Sequence, residues 1–229
     1  MSTSRPIARL RRNRVSSRTI AFANAYQARL ADAIRVSYPR LAAVVGDEFP
    51  AIVSGYLEKF PSARLSTGNT GLRLAEFLTA SIYPTWYAEL AQLERAYLEV
   101  TDAPLELPMR KEALATLALE EPICLIPAHA MIAVTSSIDE LWRALSDNDP
   151  PRRPRALDWP RVLLVWRARG SVMHRVVDLD EVGPLRAAAN GALLAQLCMM
   201  FPRAQNPCAR AVDLVLRWID EGVVAGDQA

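Results

Sequence analysis

Apolar residues recur at helical spacing along roughly the first hundred positions, then give way to short, dense runs centred near position 165. From Thr19 to Tyr38, the residues Ile20, Phe22, Ala23, Tyr26, Leu30, Ala33 and Ile34 make one broad apolar face, which predicts a helix. Pro39 disfavours helix at Tyr38 and should end it. A short helix from Arg40 to Val45 is closed by Gly46, and the next starts at Pro50, with Ile52, Val53, Tyr56, Leu57 and Phe60 on one side before Pro61. Ser62 to Thr70 read as a loop of small and polar turn formers. Two further helices are expected, from Leu72 to Ser81 and from Pro84 to Val100. The second carries Trp86, Tyr87, Leu90, Leu93, Tyr97 and Leu98, a face that reads as core.

Residues 19–101 are thus expected to form a compact helical domain. Thr101 to Pro108, with two prolines and no periodicity, suits a linker. A helix from Met109 to Leu119 should follow, then candidate strands at Ile123–Ile126 and Met131–Thr135. Ser137 precedes Asp139 and Glu140 as the N-cap of a short helix carrying Leu141, Trp142 and Leu145. Residues 147–160 hold four prolines and three arginines and read as an exposed loop.

The densest pattern lies beyond that loop. Val162 to Trp166 form one β-type run, and Val172, Met173, Val176 and Val177 supply another. Ala168-Arg169-Gly170-Ser171 between them is short enough for a hairpin. Helices are expected at Asp180–Asn190, after the break at Asn190-Gly191 through Met200, and from Pro207 to Glu221. The fold class is α+β, mainly α: an N-terminal helical domain and a second, α+β domain over residues 109–226. Small units of this kind bind polymers, by placing a helix in a DNA groove or by offering a strand edge to a peptide, and the pattern leaves both open.

Composition narrows the class. With 229 residues, 51% of them hydrophobic, the chain can bury one large core or two small ones. No window approaches the ~18 consecutive apolar residues of a membrane span, and the start lacks the apolar centre of a secretory signal. A cytoplasmic address without a membrane partner is expected. Three cysteines, Cys124, Cys198 and Cys208, are widely and irregularly spaced, which suits reduced structural thiols. The net charge of +2 is uneven: Arg5, Arg9, Arg11, Arg12, Arg14 and Arg18 make residues 1–18 a basic arm and leave the remainder acidic. Such an arm can meet phosphates or an acidic protein, or stay solvated.

Catalytic motifs are missing. His129 and His174 stand in different candidate strands without a Cys or His partner at metal-ligand spacing. Phosphate loops and nucleophile elbows are absent, and Met199 and Met200 beside Cys198 read as packing residues rather than soft-metal ligands. Adjacent carboxylates such as Glu120-Glu121 point different ways on a helix. No catalytic residue and no metal ligand is assigned, which favours a binding subunit over a self-sufficient enzyme.

One set of motifs goes further. Tyr26-Gln27-Ala28-Arg29-Leu30, Tyr38-Pro39 with Leu41, Val45-Gly46 with Phe49, Tyr56, Phe60-Pro61, Phe77-Leu78, Leu90-Ala91-Gln92-Leu93-Glu94 and Tyr97 follow in order. Leu141-Trp142, Val165-Trp166-Arg167 and Asn190-Gly191 continue the series. In these residues the chain resembles a bacterial family labelled as DNA-binding domain proteins. The resemblance implies a different role, because the family's characterised members are partner subunits of multinuclear non-haem iron oxygenases. Those enzymes are TIM barrels that modify cysteines of ribosomally made peptides, as in methanobactin and thia-glutamate biosynthesis. The implied C-terminal domain is winged-helix-like and captures the precursor's leader, while the iron sits in the partner subunit and this chain holds no cofactor.

On that basis the leader is expected to pair with a strand edge of the hairpin around Val165, Arg167, Arg169, Arg175 and Val177, the arginines attracting acidic residues. The alternative for these arginines is a solvent-facing hairpin surface. Arg152, Arg153 and Arg155 in the Pro/Arg loop are expected to dock the enzyme. The competing function is a winged-helix transcriptional regulator with Leu193–Met200 as recognition helix. That helix offers only Gln196 as a polar base reader, so nucleic acid is the disfavoured partner.

Overall fold

A computed structural model describes residues 17–60, 71–114 and 117–226 of the chain. The expected arm lies outside the described residues up to position 16, as does the expected loop at 62–70. In chain order the elements are α1 (Ser17–Ser37), α2 (Pro39–Val45), a 3-10 turn (Gly46–Glu48), α3 (Phe49–Lys59), α4 (Leu74–Thr79) and α5 (Thr85–Asp102). There follow α6 (Lys111–Leu114), β1 (His129–Ser136), α7 (Ile138–Ser146), β2 (Ala156–Ala168), β3 (Ser171–Val177), α8 (Val182–Ala188), α9 (Leu194–Met199) and α10 (Pro207–Glu221). The fold is α+β and mainly α, a helical N-terminal region followed by one containing a small antiparallel sheet. Among the described residues, no helix is long and apolar enough to cross a membrane.

The sheet has the order β1-β2-β3. Its middle strand explains the unbroken apolar run at 162–166, because both faces of β2 are covered. Leu163 and Val165 point into a core shared with α1 to α5 and α7. Leu164, Trp166 and Ala168 point the other way, into a core with α8 to α10. One apolar cluster therefore runs from Ile34 to Val165 across the expected linker at 101–108.

Helix α5 is the hub of the first core. Leu90, Ala91 and Leu93 are fully buried on it, and so are two carboxylates that satisfy backbone donors elsewhere. Glu94 accepts the N–H groups of Arg40 at 2.6 Å and Leu41 at 3.0 Å, capping the start of α2. Glu89 accepts Thr135 N at 2.6 Å and Ser136 N at 3.1 Å, at the end of β1. Tyr38, buried beside this helix, donates to Gly71 O at 2.6 Å. Gly71 has φ 88°, and a Cβ there would stand 2.8 Å from the Tyr38 ring.

Three expected elements differ in extent. The helix at 109–119 is a single turn, Lys111–Leu114. Beyond it, the carbonyls of Leu119 and Glu121 serve instead as partners for the first N–H groups of α9, from Ala195 at 2.9 Å and Leu194 at 3.1 Å. Ile123–Ile126, expected as a strand, makes isolated bridges: Pro122 pairs with Leu193 and Leu125 with Val224. Pro122 and Pro127 bracket it, and neither can donate to a longer ladder. Strand β2 begins at Ala156, inside the expected loop, because Ala156 pairs with Ser136.

Candidate functional site

The hairpin forms where expected. Ala168 pairs with Ser171, and Arg169 and Gly170 at φ 52° and 79° make the left-handed two-residue turn that suits twisted strands. The side chains expected to bind a peptide are dispersed by the tertiary packing. Val165 is fully buried under α5, and Val177 is buried on the opposite face.

Arg167 is committed to the end of α5. It donates to the Thr101 carbonyl, to Ala103 O at 2.5 Å and to Pro104 O at 3.3 Å, where helix carbonyls lack intrahelical partners. Arg175 is committed to a buried ion cluster. It donates to Glu181 at 2.6 and 2.9 Å and to Glu221 at 2.8 Å. Arg217 and, at 2.6 Å, the Trp218 indole N–H complete the shell of Glu181. Burial raises the Glu181 carboxyl, but the donors from Arg175 and Trp218 outweigh it and hold the group below its ordinary value. Of the three hairpin arginines, Arg169 alone has a side chain with neither a hydrogen bond nor an ion pair among the described residues.

The Pro/Arg loop is divided between two surfaces. Arg152 and Arg153 line a depression of about 390 Å³ with Ser137, just before α7, and with Glu140 and Leu141 of that helix. Arg155 pairs with Glu140 at 3.0 Å and borders a second, larger groove.

That groove arises from a mismatch in strand length. Pairing between β2 and β3 stops at Val162 and Val177, so on that side Ala156–Arg161 has no strand beside it. On the β1 side, Val134 pairs with Arg161 and Ser136 with Ala156, leaving Leu157–Pro160 opposite Thr135 alone. This is a wide bulge, and Pro160 within it has no N–H to offer. A groove of about 650 Å³ lies between the bulge, the end of β3 and the start of α8. Leu157, Val162, Val176 and Val182 give it an apolar floor, and Trp159 and Leu179 stand at its rim with 80% and 92% of their surface exposed. Large exposed apolar side chains grouped at a groove mark a binding surface more often than single ones do. Of its charged groups, Arg155 and Asp178 are paired, with Glu140 and Arg217, whereas Asp158 and Arg161 have no ion-pair partner among the described residues.

Sequence reasoning missed Trp159 and Leu179. Each carried a signal: an aromatic in a proline-rich stretch without periodicity, and a leucine between Asp178 and Asp180.

The two histidines have local structural partners. His129 Nδ1 lies 2.6 Å from Ile126 O, and His174 Nδ1 lies 2.7 Å from the Tyr97 hydroxyl in a cluster with Trp142. Burial lowers the His174 pKa, favouring the neutral ring. Helix α9 spans six residues and buries Leu194, Leu197 and Cys198. Gln196 turns back to accept its own Leu193 N–H at 2.9 Å, so the expected base reader serves as a helix cap. No protein-family model and no curated protein sequence matches the chain.

Proposed function

We propose that this chain is a non-catalytic partner subunit that binds the leader of a ribosomally made precursor peptide and presents the peptide's cysteine to an iron-dependent oxygenase. The observation that carries it is the groove beside Ala156–Arg161, a gap in the sheet ladder floored by apolar side chains and rimmed by Trp159 and Leu179. An extended peptide entering there can gain main-chain hydrogen bonds from β2 while alternate side chains meet the floor. The chemistry belongs to the partner, a TIM-barrel enzyme with a multinuclear iron site. Tethering raises the effective concentration of the core cysteine at that site. Arg152 and Arg153, on the depression beside α7, are the docking residues for the enzyme, and Arg169 at the hairpin tip is the arginine left to meet an acidic leader. The short, self-capped α9 supports peptide over DNA.

The test is affinity capture of the tagged chain from its native host, with iron analysis of the eluate. Stoichiometric recovery of an iron-loaded TIM-barrel protein is expected. Trp159→Ala and Leu179→Ala should leave that recovery and the melting temperature unchanged while weakening capture of the partner's peptide substrate about tenfold, as for loss of an aromatic anchor. Recovery of DNA, or of this chain alone, overturns the proposal.

A further inference from the structure

Strand β3 leaves the sheet because its continuation is tied elsewhere. Directly after Val177, Asp178 is held to α10 by Arg217 at 3.0 Å, and Asp180 by Arg210 at 2.8 Å. The carbonyl of Asp178 accepts the N–H groups of Glu181 at 2.9 Å and Val182 at 3.2 Å, so the chain turns into α8 instead of continuing beside β2. The lane that β3 leaves, alongside Ala156–Arg161, is the groove. Four charged side chains line it. Asp178 is engaged by Arg217 and Arg155 by Glu140, whereas Asp158, exposed, and Arg161, half-buried, have no ion pair among the described residues. These two stand on either side of Trp159 and Pro160, three residues apart in sequence.

We propose that the groove selects an extended peptide carrying an acidic residue three positions before a basic one, with an aromatic or branched aliphatic side chain between them. This rests on the reading of the groove as the leader site and adds the chemistry by which a leader is chosen. Both neighbours of β2 run antiparallel to it. A peptide continuing the lane of β3 runs the same way as β3, so its N-terminal part passes Arg161 and its C-terminal part passes Asp158. An acidic residue at the first point and a basic one at the second meet opposite charges, whereas the reverse order sets like charges against one another. The spacing carries over from strand to peptide, because three residues span roughly 10 Å in either. Between the charges, the rim side chains Trp159 and Leu179 and the floor side chains Val176 and Val182 receive an apolar group. Pro160 has no N–H to offer the ladder, which leaves the side chains to fix the register.

The test is selection from a phage-displayed library of random peptides on the immobilised full chain. The retained peptides should share the order acidic, two intervening residues, basic, with an apolar side chain inside. Asp158→Lys combined with Arg161→Glu should select the reverse order, and each reversal should lower retention of the original peptides about fivefold, the upper range for an exposed pair. Arg161→Gln keeps most of the side chain and loses its charge. It should drop the acidic preference, keep the basic one and leave the melting temperature unchanged. Trp159→Ala and Leu179→Ala should each lower retention about tenfold. Retained peptides without a charge order, or with the same order on the doubly reversed chain, would overturn the motif, while their dependence on Trp159 and Leu179 would keep the groove as the leader site. Retention indifferent to those two side chains, or no retention at all, would overturn both.

Discussion

Arg175 on β3 grips Glu181, immediately before α8, with both guanidinium N–H groups, at 2.6 and 2.9 Å, and the carboxylate is wholly buried. A buried charge held this way is costly to strand. Removing Glu181 leaves Arg175 with Glu221 and the Val176 carbonyl, and leaves the Trp218 indole N–H without its acceptor. Glu181→Ala should therefore destabilise the chain by about 3–5 kcal/mol, the range for breaking a buried pair. Chemical denaturation measures this, and a loss below about 1 kcal/mol would mean that water replaces the carboxylate without cost.

The buried carboxyls of Glu94 and Glu181 act on stability with opposite sign. Burial, against the N–H groups of Leu41 and Arg40, raises Glu94 from 4.5 to about 7. Between those values the folded chain holds a proton that the unfolded chain has lost, so this contribution is full below pH 4.5 and fades as pH rises through 7. Glu181, held below 4.5, contributes above that value and loses its contribution in acid. Glu94→Gln should flatten the fall in stability between pH 4.5 and about 7. The check is unfolding free energy against pH for both chains; parallel curves across that window would show that Glu94 does not titrate there.

Arg167 ties the sheet to the end of α5 through the carbonyls of Thr101, Ala103 and Pro104. Arg167→Ala should cost about 1.5–3 kcal/mol, the range for hydrogen bonds that involve a charged group. Arg167→Lys should recover only part of it, since an ammonium lacks the planar fork that reaches separate carbonyls. Hydrogen exchange should localise the change to the last turn of α5. An unchanged exchange rate there would separate Arg167 from the helix end.

Much of the helical region was legible because its physics is local. Ile34, Ile52, Tyr56 and Leu90 stand on the apolar faces read at helical spacing, and the starts expected at Arg40 and Pro50 fall one residue from Pro39 and Phe49. The hairpin was legible for the same reason, since Arg169-Gly170 between two β-type runs is a turn defined by its own residues. Glu89 was not singled out, and Glu94 was noted only as the end of a motif and not as a buried cap, because an acidic residue among apolar neighbours looks the same whether it meets water or the N–H groups of a distant strand or helix.

The groove itself lay beyond local pattern. Val165, Arg167, Arg175 and Val177 look available on an isolated hairpin, yet α5 covers one, two carboxylates and three carbonyls occupy the arginines, and the second core takes the last. Periodicity determined the α+β class and most of the element types, the hairpin at 162–177 among them. Strand length and register decided the rest: where β3 stops beside β2, and which four residues bulge opposite Thr135, depend on pairing between segments far apart in sequence. Periodicity records which way a side chain points, but only the partner strand and the covering helices determine whether it meets solvent.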